Sequence, residues 1–404
     1  MTMLNQDTLR EATRLTQAGH LTEATALLQR MLRGAPAGAP SDPERARLPC
    51  RAPLTIDLEA NDVGEADNAT RAEAPTGAPR RRRPFFDRAK DGTWLGLRGV
   101  KHAPASVTDI VPEGAKFTEG VYSNPAGSRT YKLFVPSGYH GQPLPLVVML
   151  HGCTQSPDDF AAGTRMNFVA EEQNCLVVYP AQRSDANPSK CWNWFRRADQ
   201  RRDEGEPSLI AGITRQVMQD YSVDPKRVFV AGLSAGGAAA AIMGATYSDL
   251  YAAVGIHSGL AYGTATDMPS AFAAMRQGRG ASRQAVPVGP TVPTIIFHGD
   301  RDTTVHPDNG AQAVEQAVGT TRTRKKVHRG QIPGGHGYTR TTHVDGEREI
   351  LEHWNIHGAG HAWSGGSPAG SYTDQEGPDA TKEMLLLSRE SAAAAALEFF
   401  SVQL

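Results

Sequence analysis

The sequence predicts an α/β fold whose mostly parallel central sheet is covered by helices on both faces. Three observations predict it. Short, nearly unbroken runs of Val, Ile and Leu recur from about residue 129 onward. Helix-length stretches separate several of them, and the glycine-flanked motifs that could carry chemistry all follow the carboxyl ends of these runs. Strands that are apolar without alternation are buried on both faces, and intervening helices let neighbouring strands run parallel. Catalytic groups in such sheets gather where the strands end and the loops open.

The expected strands are 129–135, 145–150, 175–180, 227–231, 253–257, 292–297 and 350–356. Helices are expected over about 160–173, 208–222 and 235–247, with a last one near 380–400. Together these define a catalytic domain over residues 96–404.

Two segments precede it. Residues 1–34 read as a helical hairpin: Leu9, Ala12, Leu15 and then Leu21, Ala24, Leu28, Met31 fall at near-helical spacing, and Gly19 separates the stretches. One such pair resembles a single tetratricopeptide-type unit and cannot bury its own apolar face. It is therefore expected to dock on its own catalytic domain, a second copy, a partner protein or a polymer granule. Residues 35–95 are rich in Pro, Ala, Gly, Arg and acidic residues and have linker composition, with too little apolar surface to offset the entropy of ordering. Arg80-Arg81-Arg82-Arg83 is read as solvated linker, with contact to an anionic surface as the sharper alternative.

At 404 residues and a net charge of −1, the chain carries no global field that points to nucleic acid. No run approaches the ~18–20 apolar residues of a membrane span, and the N-terminus lacks the apolar core of a secretory signal. A cytoplasmic setting is expected, extracellular being the alternative. The four cysteines, Cys50, Cys153, Cys175 and Cys191, show no metal-site spacing. Cys153 and Cys191 are expected as free thiols in a reducing cytoplasm and as a possible pair in an oxidising compartment.

The decisive segment is Arg227-Val-Phe-Val-Ala-Gly-Leu-Ser-Ala-Gly-Gly237 followed by an Ala-rich stretch. It reads as strand, G-x-S-x-G turn, helix, which exposes a serine hydroxyl on a sharp turn at a sheet edge. Ser234 is therefore the candidate nucleophile of an α/β-hydrolase fold. A serine hydroxyl attacks only when a histidine takes its proton and an acid orients that histidine. In this fold the chain order is Ser, acid, His. The loop after Ile295-Ile296-Phe297 offers Asp300 and Asp302; Asp302, deeper in the loop, is favoured, with Asp300 as a turn cap. His361 in Gly-Ala-Gly-His-Ala-Trp is the favoured base and His336 the rival, while His151 and His298 read as structural. Backbone N–H groups of Ala235 and of Cys153, in the loop after strand 145–150, are the expected oxyanion donors.

With those residues in place, LVVMLHGCTQSPDDFA, VVYPAQ, CWNWF, RVFVAGLSAGGAAA, IIFHGDRDTTV and GAGHAWSGG closely resemble the polyhydroxybutyrate-depolymerase family of esterases, which also contains feruloyl and acetylxylan esterases. The resemblance implies Ser234, Asp302 and His361 as triad and Cys153 as an oxyanion donor; acyl-enzyme chemistry of this kind is expected to need no metal or organic cofactor. The N-terminal extension is more similar to intracellular depolymerase relatives. Trp192, Trp194 and Trp363 are candidate substrate-facing aromatics. The expected activity is hydrolysis of a polyester such as poly(3-hydroxybutyrate) or its oligomers, with a feruloyl, acetylxylan or small-ester carboxylesterase as the alternative.

Overall fold

The computed structural model describes residues 105–278 and 292–386. The anticipated hairpin (1–34), the linker (35–95) and most of the last helix lie outside the described residues; residues 380–386 are helical.

The chain opens with a one-turn helix α1 (Val107–Ile110) and a hairpin of β1 (Lys116–Asn124) and β2 (Gly127–Val135). β3 (Leu144–Leu150), α2 (Pro157–Thr164), α3 (Met166–Gln173) and β4 (Leu176–Pro180) follow. Next come α4 (Gly205–Asp220), β5 (Val223–Leu233), α5 (Ala235–Thr246) and β6 (Ala253–His257). Then come α6 (Met268–Gln277), β7 (Thr294–Gly299), α7 (Asp308–Val318), the antiparallel β8 (Arg324–Gln331) and β9 (Gly337–Asp345), and β10 (Arg348–His357). Two short strands, β11 (Trp363–Ser364) and β12 (Thr373–Asp374), pair in parallel by themselves.

Among the described residues, ten strands form one sheet in the order β1-β2-β4-β3-β5-β6-β7-β10-β9-β8. The middle, from β4 to β10, is parallel throughout, and both flanks are antiparallel. The period-2 alternation of a strand explains the unbroken apolar runs. In β3, Leu146, Val148 and Leu150 join one core with Ile210 and Ile213 of α4 and Ile242 and Met243 of α5. Val147 and Met149 point the other way, into a core with Phe160 of α2 and Met166 of α3. Each face needs hydrophobic side chains, so no polar position is left.

Three strands of this sheet had no anticipated counterpart, nor did the short β11 and β12. β1 alternates exposed and half-buried positions, β9 is half-buried along most of its length, and β8, Arg-Lys-Lys-Val-His-Arg-Gly-Gln, is almost wholly exposed. A sheet edge that faces water carries no apolar run, and its charges discourage pairing with another chain. The single helix expected over 160–173 is two. Arg165 ends α2 with φ +54°, and α3 starts on the next residue. Among the described residues no helix is long and apolar enough to cross a membrane.

Candidate active site

The nucleophile position is built by the junction of β5 and α5. Ser234 holds φ 57° and ψ −118°, a conformation that costs an L-residue energy and persists only where its surroundings enforce it. Its N–H donates to the His257 carbonyl at 2.9 Å, and its own carbonyl accepts from Ala238 at 2.9 Å. A Cβ on Gly232 would run into the Gly236 carbonyl, and one on Gly236 into the Leu150 carbonyl, so strand and helix approach this closely only through glycine. Ala235 is the first residue of α5, where a helix N–H has no intrahelical acceptor.

The loop after β3 faces this elbow. Gly152 N–H donates to Gln155 Oε1 at 2.9 Å and Thr154 N–H to the Ser189 carbonyl at 2.7 Å. Between them, the Cys153 N–H has no acceptor among the described residues. Cys153 is disulfide-bonded to Cys191, with Cα atoms 4.2 Å apart. The expectation of free thiols is therefore corrected. It rested on compartment alone, whereas the fold brings the loop after β3 against the segment that starts at Ser189. Cys175, by contrast, is a buried free thiol whose pKa burial pushes up to about 12.

Asp302 lies in the loop after β7, 4% exposed. Its Oδ1 accepts from the N–H groups of Thr304 and Val305, each at 2.8 Å, and its Oδ2 lies 2.7 Å from His361 Nδ1. Burial would raise its pKa, but hydrogen bonds from His298 and His361 outweigh that and hold the carboxyl well below the usual carboxylate range. An ionised Asp302 makes His361 Nδ1 the protonated nitrogen and leaves Nε2 as the basic one. No hydrogen bond joins the Ser234 hydroxyl to His361 among the described residues. In sites of this kind that contact often tightens only when substrate binds.

The other candidates separate by their partners. Asp300 accepts from Gly358 N–H at 2.7 Å and pairs with His357 at 3.0 Å, so it fastens the entrance of the His361 loop. His336 pairs with Asp374 at 3.0 Å, away from Asp302. His298 Nε2 donates to the Val305 carbonyl at 2.9 Å and stands 3.5 Å from Asp302, and His151 lies 2.8 Å from the Gly152 carbonyl while accepting from Gln182 N–H at 3.0 Å.

Of the three tryptophans, only Trp194 borders the pocket that also contains Ser234. Trp192 is fully buried and donates to the His151 carbonyl at 3.1 Å. Trp363 is 1% exposed, stacks on His257, meets Phe160 edge to face, and donates to Thr381 Oγ1 at 3.0 Å. Both are corrected from substrate-facing to core positions, because each indole N–H is satisfied inside the protein.

Two further residues shape the site without having been singled out in the sequence. His257 holds the nucleophile's N–H with its carbonyl, while its Nε2 accepts from Ser364 N–H at 3.0 Å, three residues beyond His361. Burial lowers its pKa to about 3, with His298 and His361 adding to the effect, so it stays neutral. Glu206, on α4, accepts from Asn193 N–H and Asn193 Nδ2, each at 2.7 Å, and from Gln182. It thereby fixes the segment that carries Cys191. The only sequence signals were a histidine ending an apolar strand and an acid in the first turn of a helix.

Residues 129–322 match the family described as "Esterase PHB depolymerase". The match spans just under half of the chain. It includes Ser234, Asp302 and both oxyanion candidates, and ends before His361. Poly(3-hydroxyalkanoate) depolymerase C of Paucimonas lemoignei is 37% identical over 204 residues, covering 48% of this chain and 49% of that protein. A probable acetylxylan esterase A of Neosartorya fischeri is 28% identical over 213 residues, covering 49% and 56%. The chain thus spans about half the length of these relatives. Among solved structures, the acetyl xylan esterase of Aspergillus awamori superposes with a TM-score of 0.51 at 22% identity, covering 61% of this chain and 93% of that one, and has the same α/β-hydrolase fold.

Proposed function

We propose that the protein hydrolyses carboxylic ester bonds through an acyl-enzyme, acting on poly(3-hydroxybutyrate) or its oligomers. The reading is carried by the 2.7 Å hydrogen bond between a buried, ionised Asp302 and His361, at the same sheet edge as the strained Ser234. Ser234 Oγ attacks the ester carbonyl carbon as its proton passes to His361 Nε2. The resulting oxyanion is met by the N–H groups of Ala235 and Cys153. The carbon–oxygen bond to the alcohol then breaks, and His361 returns its proton to the departing oxygen. Water, deprotonated by His361, attacks the acyl-serine and releases the acid. None of these steps calls for a metal or organic cofactor.

The polyester is favoured by the relative of highest identity among those above, named a poly(3-hydroxyalkanoate) depolymerase. The relative named an acetylxylan esterase favours the alternative, a small-ester or hydroxycinnamoyl esterase. Turnover of dispersed 3-hydroxybutyrate polymer, methyl ferulate and p-nitrophenyl esters by wild type and Ser234→Ala separates them. Wild-type activity on the polymer, with a loss of about 10⁴-fold or more in Ser234→Ala, is the expected result. Turnover of ferulate without the polymer would favour the alternative, and no turnover of any ester would sink the reading.

Residues 1–34 are proposed to contact a polymer granule or a protein. Deleting residues 1–90 should then lose localisation while retaining ester turnover. The proposal of a cytoplasmic protein stands against the Cys153–Cys191 bond, since such bonds persist mainly in oxidising compartments. Fractionation of the native cells, with thiol labelling of the recovered protein, decides between cytoplasm and exterior.

A further inference from the structure

The structure holds an open pocket of about 520 Å³, its mouth included, that touches Ser234, Ala235 and Cys153 but not His361. When a serine attacks an ester carbonyl, three groups surround the carbon. The oxygen turns to the N–H donors, and the alcohol oxygen must face the histidine that protonates it. The acyl chain takes the remaining direction. A cavity that borders nucleophile and donors yet lies clear of His361 is therefore on the acyl side.

One wall of it is a single face of α6. Met268, Ala271, Phe272 and Met275 recur at i, i+3, i+4 and i+7, the spacing that lines one side of a helix. The helix is held at its start by Asp267, which accepts from Ser270 N–H at 2.9 Å while Ser270 Oγ bonds back to the Asp267 N–H at 3.1 Å. Its far end is tied to the active-site side of the sheet, where His306 N–H donates to the Met275 carbonyl at 2.8 Å and Asn309 Nδ2 to the Ala274 carbonyl at 3.0 Å. Met268 and Met275 are unbranched and adapt to acyl groups of different shape, whereas Ala271, with only a methyl group, leaves room along this wall that a larger side chain would fill. None of the described lining residues is charged. An acyl group ending in a carboxylate would be desolvated without a partner, which disfavours it strongly.

The geometry points to α6 as the element that selects the acyl group: an uncharged, mainly aliphatic chain longer than acetyl, given room by the small Ala271 and bounded by Met275. This rests on the ester-hydrolase reading and adds the substrate class.

The test uses the full chain with p-nitrophenyl acetate, butyrate and hexanoate and mono-p-nitrophenyl succinate. The wild type should prefer hexanoate to succinate by about tenfold or more in kcat/KM. Ala271→Trp should lower the hexanoate-to-acetate ratio of kcat/KM by about tenfold or more, and Met275→Ala should shift the preference towards longer chains. Circular dichroism establishes that Ala271→Trp folds; should it not, Met275→Ala decides alone. Measurable acetate turnover with a chain-length ratio unchanged in every folded variant, or succinate accepted as well as hexanoate, overturns the inference and leaves ester hydrolysis standing. Failure of the wild type on all four esters sinks the ester-hydrolase reading itself.

Discussion

Asp300 and Asp302 stand two residues apart after the same strand; Asp300 holds His357, the last residue of β10, and Asp302 holds His361 in the loop beyond it. The Asp300–His357 pair spans 3.0 Å with side chains 36% and 45% exposed, whereas the Asp302–His361 pair spans 2.7 Å with side chains 0% and 7% exposed. Similar chemistry and similar distance therefore serve different ends. The outer pair is screened by water and ties down a loop, while the inner pair lies where charges interact strongly and water does not compete. Burial, more than the hydrogen bond itself, makes one of them suitable for proton transfer.

The largest expected effect breaks the comparison directly. Asp302→Asn should lower kcat by about 10⁴-fold with the fold retained, and Asp300→Asn, assayed in parallel, should cost only a few-fold because an amide oxygen still accepts from Gly358. Comparable losses in the two variants would mean that burial is not what separates the pairs. The next effect concerns the loop that carries Cys153. Cys191→Ser, or treatment with a thiol reductant, should lower kcat by about tenfold or more through a misplaced Cys153 amide, and lower stability by about 2–4 kcal/mol. Unchanged kcat after proven reduction would argue that the bond does not position the donor.

A third test extends the contrast to buried imidazoles. His257 is held neutral with a pKa lowered to about 3, and His151 and His353 with pKa values lowered to about 4, each chiefly by burial. Their folded values lie below the unfolded one, so the unfolded chain binds more protons as the medium is acidified. Their stabilisation is complete above about pH 6.5 and is lost as pH falls towards 4, by on the order of 3 kcal/mol per histidine. Asp302 adds a further loss only below about pH 4, since its own pKa is depressed from the carboxylate range. Denaturant midpoints between pH 7 and 4 should fall accordingly, and His353→Gln should flatten the slope; a flat wild-type profile would count against neutral burial. The smallest effect belongs to the exposed edge. Removing the Lys326–Glu349 pair, 3.3 Å apart on β8 and β10, should change stability by less than about 1 kcal/mol.

Legibility in the sequence followed burial. β3 to β7 carry apolar runs buried on both faces and announced themselves, as did β10 through Ile350, Leu351, Trp354 and Ile356, whereas β8, with one half-buried position, left no pattern to read. Ser234, Asp302 and His361 were named because strand-end motifs carry glycine and chain order. The fold hydrogen-bonds the last two and places the first on the elbow. His257 and Glu206 escaped notice because their roles come from partners 107 and 13 residues away, and no local spacing encodes those contacts. Trp192 and Trp363 misled for a related reason: an aromatic near a catalytic residue reads the same whether its ring faces solvent or a histidine in the core.

The pairing of β10 with β7 aligns Ile356 with Gly299, and the N–H groups of Asp300 and Arg301 donate to the carbonyls of Ile356 and Ala359. Acid and base are thus set by the lateral alignment of two adjacent strands rather than by the length of polypeptide between them. The β8–β9 excursion lies outside that alignment, so insertions or deletions at its tip leave the proton path intact. A slip of β10 by one position would shift the start of the loop that carries His361 along β7 and break its alignment with Asp302.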